Sequence, residues 1–311
     1  MDANTLIILF LGVLGTWLGA EFLVRGSSRL AMAFGVRPLV VGLTVVAFGT
    51  SSPEAVVSFV AATKGASGIA LGNVLGSNIA NVGLILGAVA LLHPLRVKWT
   101  EVRIDVAFMV GVSVLAAALA YLDLLARPAG IGLLTLLVVS MIWWVRGGHR
   151  PPMVETTEEP VASVHRGWAV LQALLGLAIL VVGANLLVTA AENIARAFGI
   201  PDELIGATMV AVGTSLPELA ASIVAVVRGE HEIGIGNIVG SNVMNLLFVL
   251  GGVCVIQPVG IAPQITRLVL PVMLGFAVLL VPMLATGGRV GRREGGLLLA
   301  AYFAFALKAY F

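Results

Sequence analysis

Residues 42–54 read GLTVVAFGTSSPE and residues 206–218 read GATMVAVGTSLPE. Each stretch lies in a run apolar enough to cross a bilayer, and each places one carboxylate, Glu54 or Glu218, inside that run. An ionisable group in hydrocarbon costs on the order of 2.5 kcal/mol or more, which marks it as a functional position. Pro53 and Pro217 lack an N–H and clash with the carbonyl one turn back, so the spacing predicts a helix break just before each acid. Irregular backbone at membrane depth persists only where it is buried in protein or lines a wet cavity. Freed carbonyls, neighbouring hydroxyls and a carboxylate are together hard oxygen ligands for a cation. The same device occurs twice in one chain.

The rest of the composition agrees with a membrane setting. Of the 311 residues 59% are hydrophobic and 11% charged, and the mean hydropathy is +1.07. Soluble domains carry about 25% charged residues. The alternation of a transmembrane barrel is absent. A net charge of +2 gives no footing for nucleic acid. The single cysteine, Cys254, sits among apolar residues and reads as core filler. The chain opens MDANT, an acid where a signal peptide has basic residues, so the first apolar run reads as a membrane helix.

Ten spans are expected, near 4–25, 38–62, 69–92, 103–124, 128–146, 167–190, 203–227, 233–256, 265–286 and 294–311. The fold class is therefore all-α, with helices 2 and 7 broken. The one long polar stretch, residues 147–166, is rich in Pro, Glu and Thr and reads as a linker. Residue n on one side of it matches residue n+164 on the other: Gly19 with Gly183, Phe34 with Phe198, Glu54 with Glu218, Gly87 with Gly251. From 19 to 87 about 30 of the 69 pairs are identical, without a gap. The halves, 1–146 and 167–311, thus hold five spans each. An odd number makes them enter the membrane in opposite directions, the inverted-repeat plan of secondary transporters.

Basic residues set the orientation. With the N-terminus outside, the inward loops hold 13 of the 18 Lys and Arg. Lys64, Arg127, Arg196, Arg267 and Lys308 remain outward. Both termini are expected outside the cytoplasm and the acidic linker inside it. Trp99, Trp143, Trp144 and Trp168 read as interfacial anchors. Glu21, whose counterpart is Asn185, reads as the partner of Arg25 one turn on. Glu192, Glu203 and Glu230 read as solvated.

The third and eighth spans carry a second duplicated pattern, IALGNVLGSNIANVGLILG from Ile69 and IGIGNIVGSNVMNLLFVLG from Ile233. Asn73, Ser77 and Asn81, and likewise Asn237, Ser241 and Asn245, recur every four residues and so share one helix face. Gly72, Gly76, Gly236 and Gly240 lie beside the stripe, where small residues permit close helix approach. Asn73 and Asn237 suit interhelical bonding as well as they suit a site. Asn81 and Asn245 point to a site shared with the two glutamates. Thr50, Ser51, Thr214 and Ser215 lie within a turn of those glutamates. They read either as ion ligands or as donors that re-satisfy the broken backbone.

The paired GTSxPE and GNxxGSNxxN segments resemble the two alpha-repeats of the cation/calcium antiporter superfamily, and within it the prokaryotic sodium/calcium exchangers. The motifs lie in 42–87 and 206–251, and the likeness extends over the ten-span plan. It implies a diamond of Glu54, Asn81, Glu218 and Asn245 around the central ions. It further implies ligands from Thr50, Ser51, Ser77, Thr214, Ser215 and Ser241, with backbone oxygens from Ala47 and Ala211. Well-studied sodium/calcium exchangers carry Asp where this chain has Asn245. Two glutamates still neutralise one Ca2+, and other members of the superfamily exchange Ca2+ for H+ or depend on K+.

The expectation is thus an antiporter of Na+ and Ca2+, with H+ or K+ as the alternative counter-ions, in the plasma membrane (the inner membrane of a bacterium), working as a monomer without a resident cofactor. An intramembrane hydrolase would need a Ser–His pair, paired acids or a metal motif. His93, His149, His165 and His231 all fall at span ends or in loops. A passive channel would use the same residues without a counter-ion.

Overall fold

The computed structural model describes residues 3–147, 166–198 and 213–310. It is helical throughout, apart from one two-residue strand pair. The helices are α1 (Ala3–Phe34), α2 (Pro38–Thr50), α3 (Ser52–Thr63), α4 (Ser67–Leu92), α5 (Trp99–Tyr121) and α6 (Arg127–Gly147). After the linker come α7 (Arg166–Ala197), α8 (Leu216–Val227), α9 (His231–Ile256), α10 (Ile265–Thr286) and α11 (Arg292–Tyr310). Most of the linker and residues 199–212, including Glu203 and Ala211, lie outside the described residues.

Among the described residues seven helices are long and apolar enough to cross a membrane, and the bent pair α2–α3 makes an eighth span. Two of the ten expected spans fall short of that test for stated reasons. Only the 12-residue α8 is described of the seventh. The last, α11, carries Arg292, Arg293, Glu294 and Lys308 in its 19 residues. α1 and α7 are longer than expected, running on to Phe34 and Ala197.

The core follows from how much of each helix is buried. In α4 and α9, 78% and 83% of the most apolar window is buried, against 22–44% in the other single-helix spans. These two helices therefore sit at the centre and the rest surround them. A helix buried on every side cannot present a large residue wherever a neighbour's backbone passes. A Cβ on Gly42 of α2 would come within 2.7 Å of the Ile233 carbonyl, and one on Gly240 of α9 within 2.7 Å of Leu43. α2 and α9 thus cross in backbone contact, as the small-residue pattern predicts.

α1 and α7 form a pair of their own. Gly12, Gly15, Gly19 and Gly26 meet Leu187, Gly183, Leu180 and Ala173, so the two helices run antiparallel. The approach is close: a Cβ on Gly19 would stand 2.2 Å from the Leu180 backbone nitrogen.

The strand pair joins Leu95–Arg96 to Arg289–Val290 in antiparallel register. Its counterpart at the 164-residue offset is a single bond, from Val259 N–H to the Leu125 carbonyl at 2.8 Å.

Candidate functional site

Both broken elements are built alike. α2 ends at Thr50, Ser51 takes a non-helical backbone, and α3 restarts at Ser52 with Pro53 in its first turn, bent by 46°. Proline suits a first turn because its missing N–H has no partner to lose there. In the second repeat Ser215 plays the same part before Leu216, with Pro217 in the first turn of α8. Glu54 and Glu218 thus sit at new helix N-termini, where the helix dipole favours negative charge. Their residues are 1% and 2% exposed.

The two breaks face each other. Ser51 donates to Glu218 Oε1 at 3.1 Å, and Ser215 donates to Glu54 Oε1 at 3.4 Å. Thr214 also bonds the Glu54 carboxyl. Each repeat therefore supplies hydroxyls to the other repeat's carboxylate. The sequence alone cannot show this exchange, because it depends on how the halves dock.

Asn73 and Asn237 brace the breaks. Asn73 Nδ2 donates to the Glu54 carbonyl at 3.3 Å and to Ser58 Oγ at 2.9 Å. Asn237 Nδ2 donates to the Glu218 carbonyl at 3.3 Å and to Ser222 Oγ at 2.9 Å. Asn237 Oδ1 also accepts from the Thr50 hydroxyl at 3.1 Å. Of the two readings open for this asparagine pair, interhelical bonding is the one these contacts fit.

Asn81 and Asn245 are each the first residue of a π-helical stretch, Asn81–Leu86 and Asn245–Val249. A π-turn inserts one residue and re-aims the side chains that follow, and such turns concentrate at functional sites. Both side chains are buried. Asn245 Nδ2 donates to Asn78 Oδ1 at 3.3 Å, which turns its own oxygen the other way. Asn78 escaped the sequence reading, although it belongs to the same GSN triplet as Ser77. Its counterpart Asn242 bonds within its own helix, to the Ile238 carbonyl.

What remains unbonded is informative. Among the described residues, Glu54 Oε2, Glu218 Oε2, Asn245 Oδ1, Asn81 Nδ2 and Ser241 Oγ are buried without a hydrogen-bond partner. They are five of eight such atoms, and all five belong to the expected site. A buried unpaired polar group costs about 1–3 kcal/mol, more when charged. Four of these atoms are oxygens, and a half-turn of the Asn81 amide makes the fifth one too. A hard cation satisfies such a set, and among the described residues no basic side chain supplies a bond to these atoms.

The other expected ligands fall into place unevenly. Ser77 is buried beside Asn81 on α4. The Ala47 carbonyl already accepts from Ser51 N–H at 3.0 Å and from the Thr50 hydroxyl at 3.4 Å. Thr50 would have to turn away for Ala47 to bind an ion. A cavity of about 400 Å3 lies beside the two breaks, lined by Ser52, Pro53, Asn185, Gly213, Thr214 and Pro217.

Two expectations outside the site need correction, and a third gains a partner. Trp144 is no interfacial anchor: it is buried and donates Nε1 to Asp105 Oδ1 at 2.7 Å. Asp105 is an acid within a span that the sequence reading passed over. Glu230 is not simply solvated, since Ser28 donates to it at 2.7 Å. Glu21 pairs with Arg25 as expected, and additionally with Arg228.

A family model described as sodium/calcium exchanger protein matches residues 4–146 and 168–311. The sodium/calcium exchanger MaX1 of Methanosarcina acetivorans is 32% identical over 343 residues, covering 98% of each chain. The inner membrane protein YrbG of Escherichia coli is 39% identical over 263 residues, 82% of this chain and 81% of its own. A solved structure of the sodium-calcium exchanger NCX_Mj, soaked with zero Na+ and Ca2+, superposes with a TM-score of 0.87 at 31% identity over the whole of both chains.

Proposed function

Because the chain belongs to the sodium/calcium exchanger family, we propose that it is a secondary antiporter that exchanges Na+ for Ca2+ by alternating access at the Glu54–Glu218 site. One observation carries this reading: among the described residues five buried polar atoms of the expected site, two of them carboxylate oxygens, have no hydrogen-bond partner, and the two glutamates that carry those oxygens are tied to each other's repeat through Ser51 and Ser215. Two carboxylates balance one Ca2+. Na+ ions compete for the same oxygens, so a loaded, neutralised site crosses the low-dielectric interior while an empty, doubly charged one does not. Alternation between two cargoes at one site is antiport.

The finer architecture belongs to the same proposal. Ten spans form two inverted five-span repeats, 1–146 and 167–311, joined by a cytoplasmic linker at 147–166. The reciprocal Ser51–Glu218 and Ser215–Glu54 bonds and the antiparallel packing of α1 on α7 support it. α1 and α7 slide as a unit over the α4–α9 core. The protein resides in the plasma membrane with both termini outside, and acts as a monomer. Ligands beyond the four central residues are Thr50, Ser51, Ser77, Thr214, Ser215 and Ser241, with Ala47 and Ala211 supplying carbonyls.

A second reading uses protons in place of Na+ on the same two glutamates. Asn245 favours it, because the site then has only two acids and both can be protonated. The test is Ca2+ uptake into proteoliposomes, driven in one arm by a Na+ gradient and in the other by a pH gradient in sodium-free buffer. Uptake in the first arm and not the second supports the primary reading. Glu54→Gln is expected to abolish uptake in either arm. Full uptake by that variant would refute the site.

A further inference from the structure

The duplicated halves are closely matched around the site, yet the ends of α1 and α7 are not, and the mismatch is polar. Near the end of α1 expected to face the cytoplasm, three links tie this helix to its surroundings. Glu21 accepts from Arg228 through both carboxylate oxygens and pairs with Arg25. Ser28 donates to Glu230 at 2.7 Å, and Arg29 donates to Gln172 at 2.6 Å. Arg228 and Glu230 belong to the short connection between α8 and α9, so two of the three links fasten the α1–α7 pair to the core.

At the 164-residue offset every one of these links loses a partner. Glu21 becomes Asn185 opposite Lys64. Glu230 becomes Ala66 opposite Glu192, which instead pairs with Arg196 on its own helix at 3.8 Å. Gln172 becomes Ile8 opposite Asn193. Exposure follows the same division. Glu21, Val24 and Thr50 are 6%, 1% and 0% exposed, whereas their counterparts Asn185, Val188 and Thr214 all line the 400 Å3 cavity. Among the described residues the cavity lies on the side of Asn185 and Thr214, whereas Glu21 and Thr50 on the opposite side are buried.

We propose that Glu21 and Arg228 are positioning residues that latch the cytoplasmic side of the site shut, and that the lack of an equivalent pair at Asn185 and Lys64 leaves the outward-open state as the resting one. The carboxylate of Glu21 is largely buried and carries two guanidinium partners, so sliding α1 past the core requires separating charges in a poorly hydrated place. At the counterpart positions Asn185 carries no charge, so no such ion pair forms with Lys64. The pair acts on access alone, because neither residue reaches the oxygens of the site. This inference rests on the antiport reading for its consequence in transport, and on geometry alone for the closure.

The experiment therefore has a readout independent of transport. Val57, which lines the outer cavity, is replaced by Cys, and labelling by a membrane-impermeant thiol reagent is followed from outside. Cys254 is buried and serves as background. Glu21→Gln and Arg228→Gln are each expected to slow this labelling about fivefold or more, and the double variant no further than either single one. Asn185→Glu, at an exposed position, is expected to slow it as well by pairing with Lys64, and Lys64→Gln is expected to abolish that effect. Unchanged labelling in Glu21→Gln and Arg228→Gln, in protein that elutes and melts as the parent does, overturns the latch. So does an Asn185→Glu effect that survives Lys64→Gln. Failure of the parent to exchange Ca2+ in proteoliposomes would instead remove the transport reading and leave the labelling result standing.

Discussion

In the proposed antiporter, Asn245 is the residue on which ion choice would turn. With an amide there, the site holds two carboxylates, and the amide needs a partner for its own N–H. Asn78 supplies it at 3.3 Å. Removing Asn78 leaves a buried donor unpaired and lets the Asn245 oxygen rotate off the site. Asn78→Ala is therefore expected to raise the half-saturating Ca2+ concentration about tenfold, the equivalent of 1.4 kcal/mol. Isothermal titration or uptake at varied Ca2+ reads that shift. Asn245→Asp adds a third carboxylate, which attracts extra monovalent cations and leaves Ca2+ over-neutralised. Its expected signature is a lower half-inhibitory Na+ concentration for Ca2+ binding, with the Asn78 amide turned so that its N–H faces the new acid. No change in Na+ competition would show that residue 245 does not contact the ions.

At the scale of the element, glycine decides where helices meet. Gly19 of α1 lies so close to α7 that an added Cβ would sit 2.2 Å from a backbone nitrogen. Backbone cannot yield as a flexible side chain can. Gly19→Val is thus expected to destabilise the protein by about 1–3 kcal/mol or more, as overpacking does, and to lower the melting temperature in detergent. Gly275 of α10 is the matched control. A Cβ there meets no described residue within 4 Å, and its helix gains about 0.5–1 kcal/mol from Ala. If both variants melt alike, the close α1–α7 crossing is wrong. The breaks at Pro53 and Pro217 were legible because proline acts locally. The π-turns that aim Asn81 and Asn245 were not, because an inserted residue in a helix leaves no local signal.

For the whole molecule, the duplicated chain predicts a transport cycle whose electrical character identifies the counter-ion. Three Na+ for one Ca2+ moves one net charge, worth about 2.3 kcal/mol per 100 mV, so uptake would respond to an imposed membrane potential. Two protons for one Ca2+ would be electrically silent. Valinomycin-clamped proteoliposomes distinguish these, and a flux indifferent to potential counts against three-for-one exchange. The orientation is checked by a cysteine added after Phe311, which an impermeant reagent is expected to label from outside intact cells.

Much of this was written in the chain itself. Apolar run length, proline breaks, intramembrane acids and an ungapped repeat at an offset of 164 residues are local or self-similar features. Bilayer physics turns them into the expectation of spans, a site and an inverted plan, of which the all-helical membrane fold is shown. Docking decided the rest. Only the folded chain showed that each repeat's serine serves the other repeat's glutamate, that Asn78 orients Asn245, that Trp144 is buried against Asp105, and that Glu21 is held by Arg228. Those contacts join residues 39 to 207 positions apart. A hydrogen bond is directional and short, so which donor meets which acceptor is set by how helices cross and rotate, and that is a property of the packed molecule rather than of any segment.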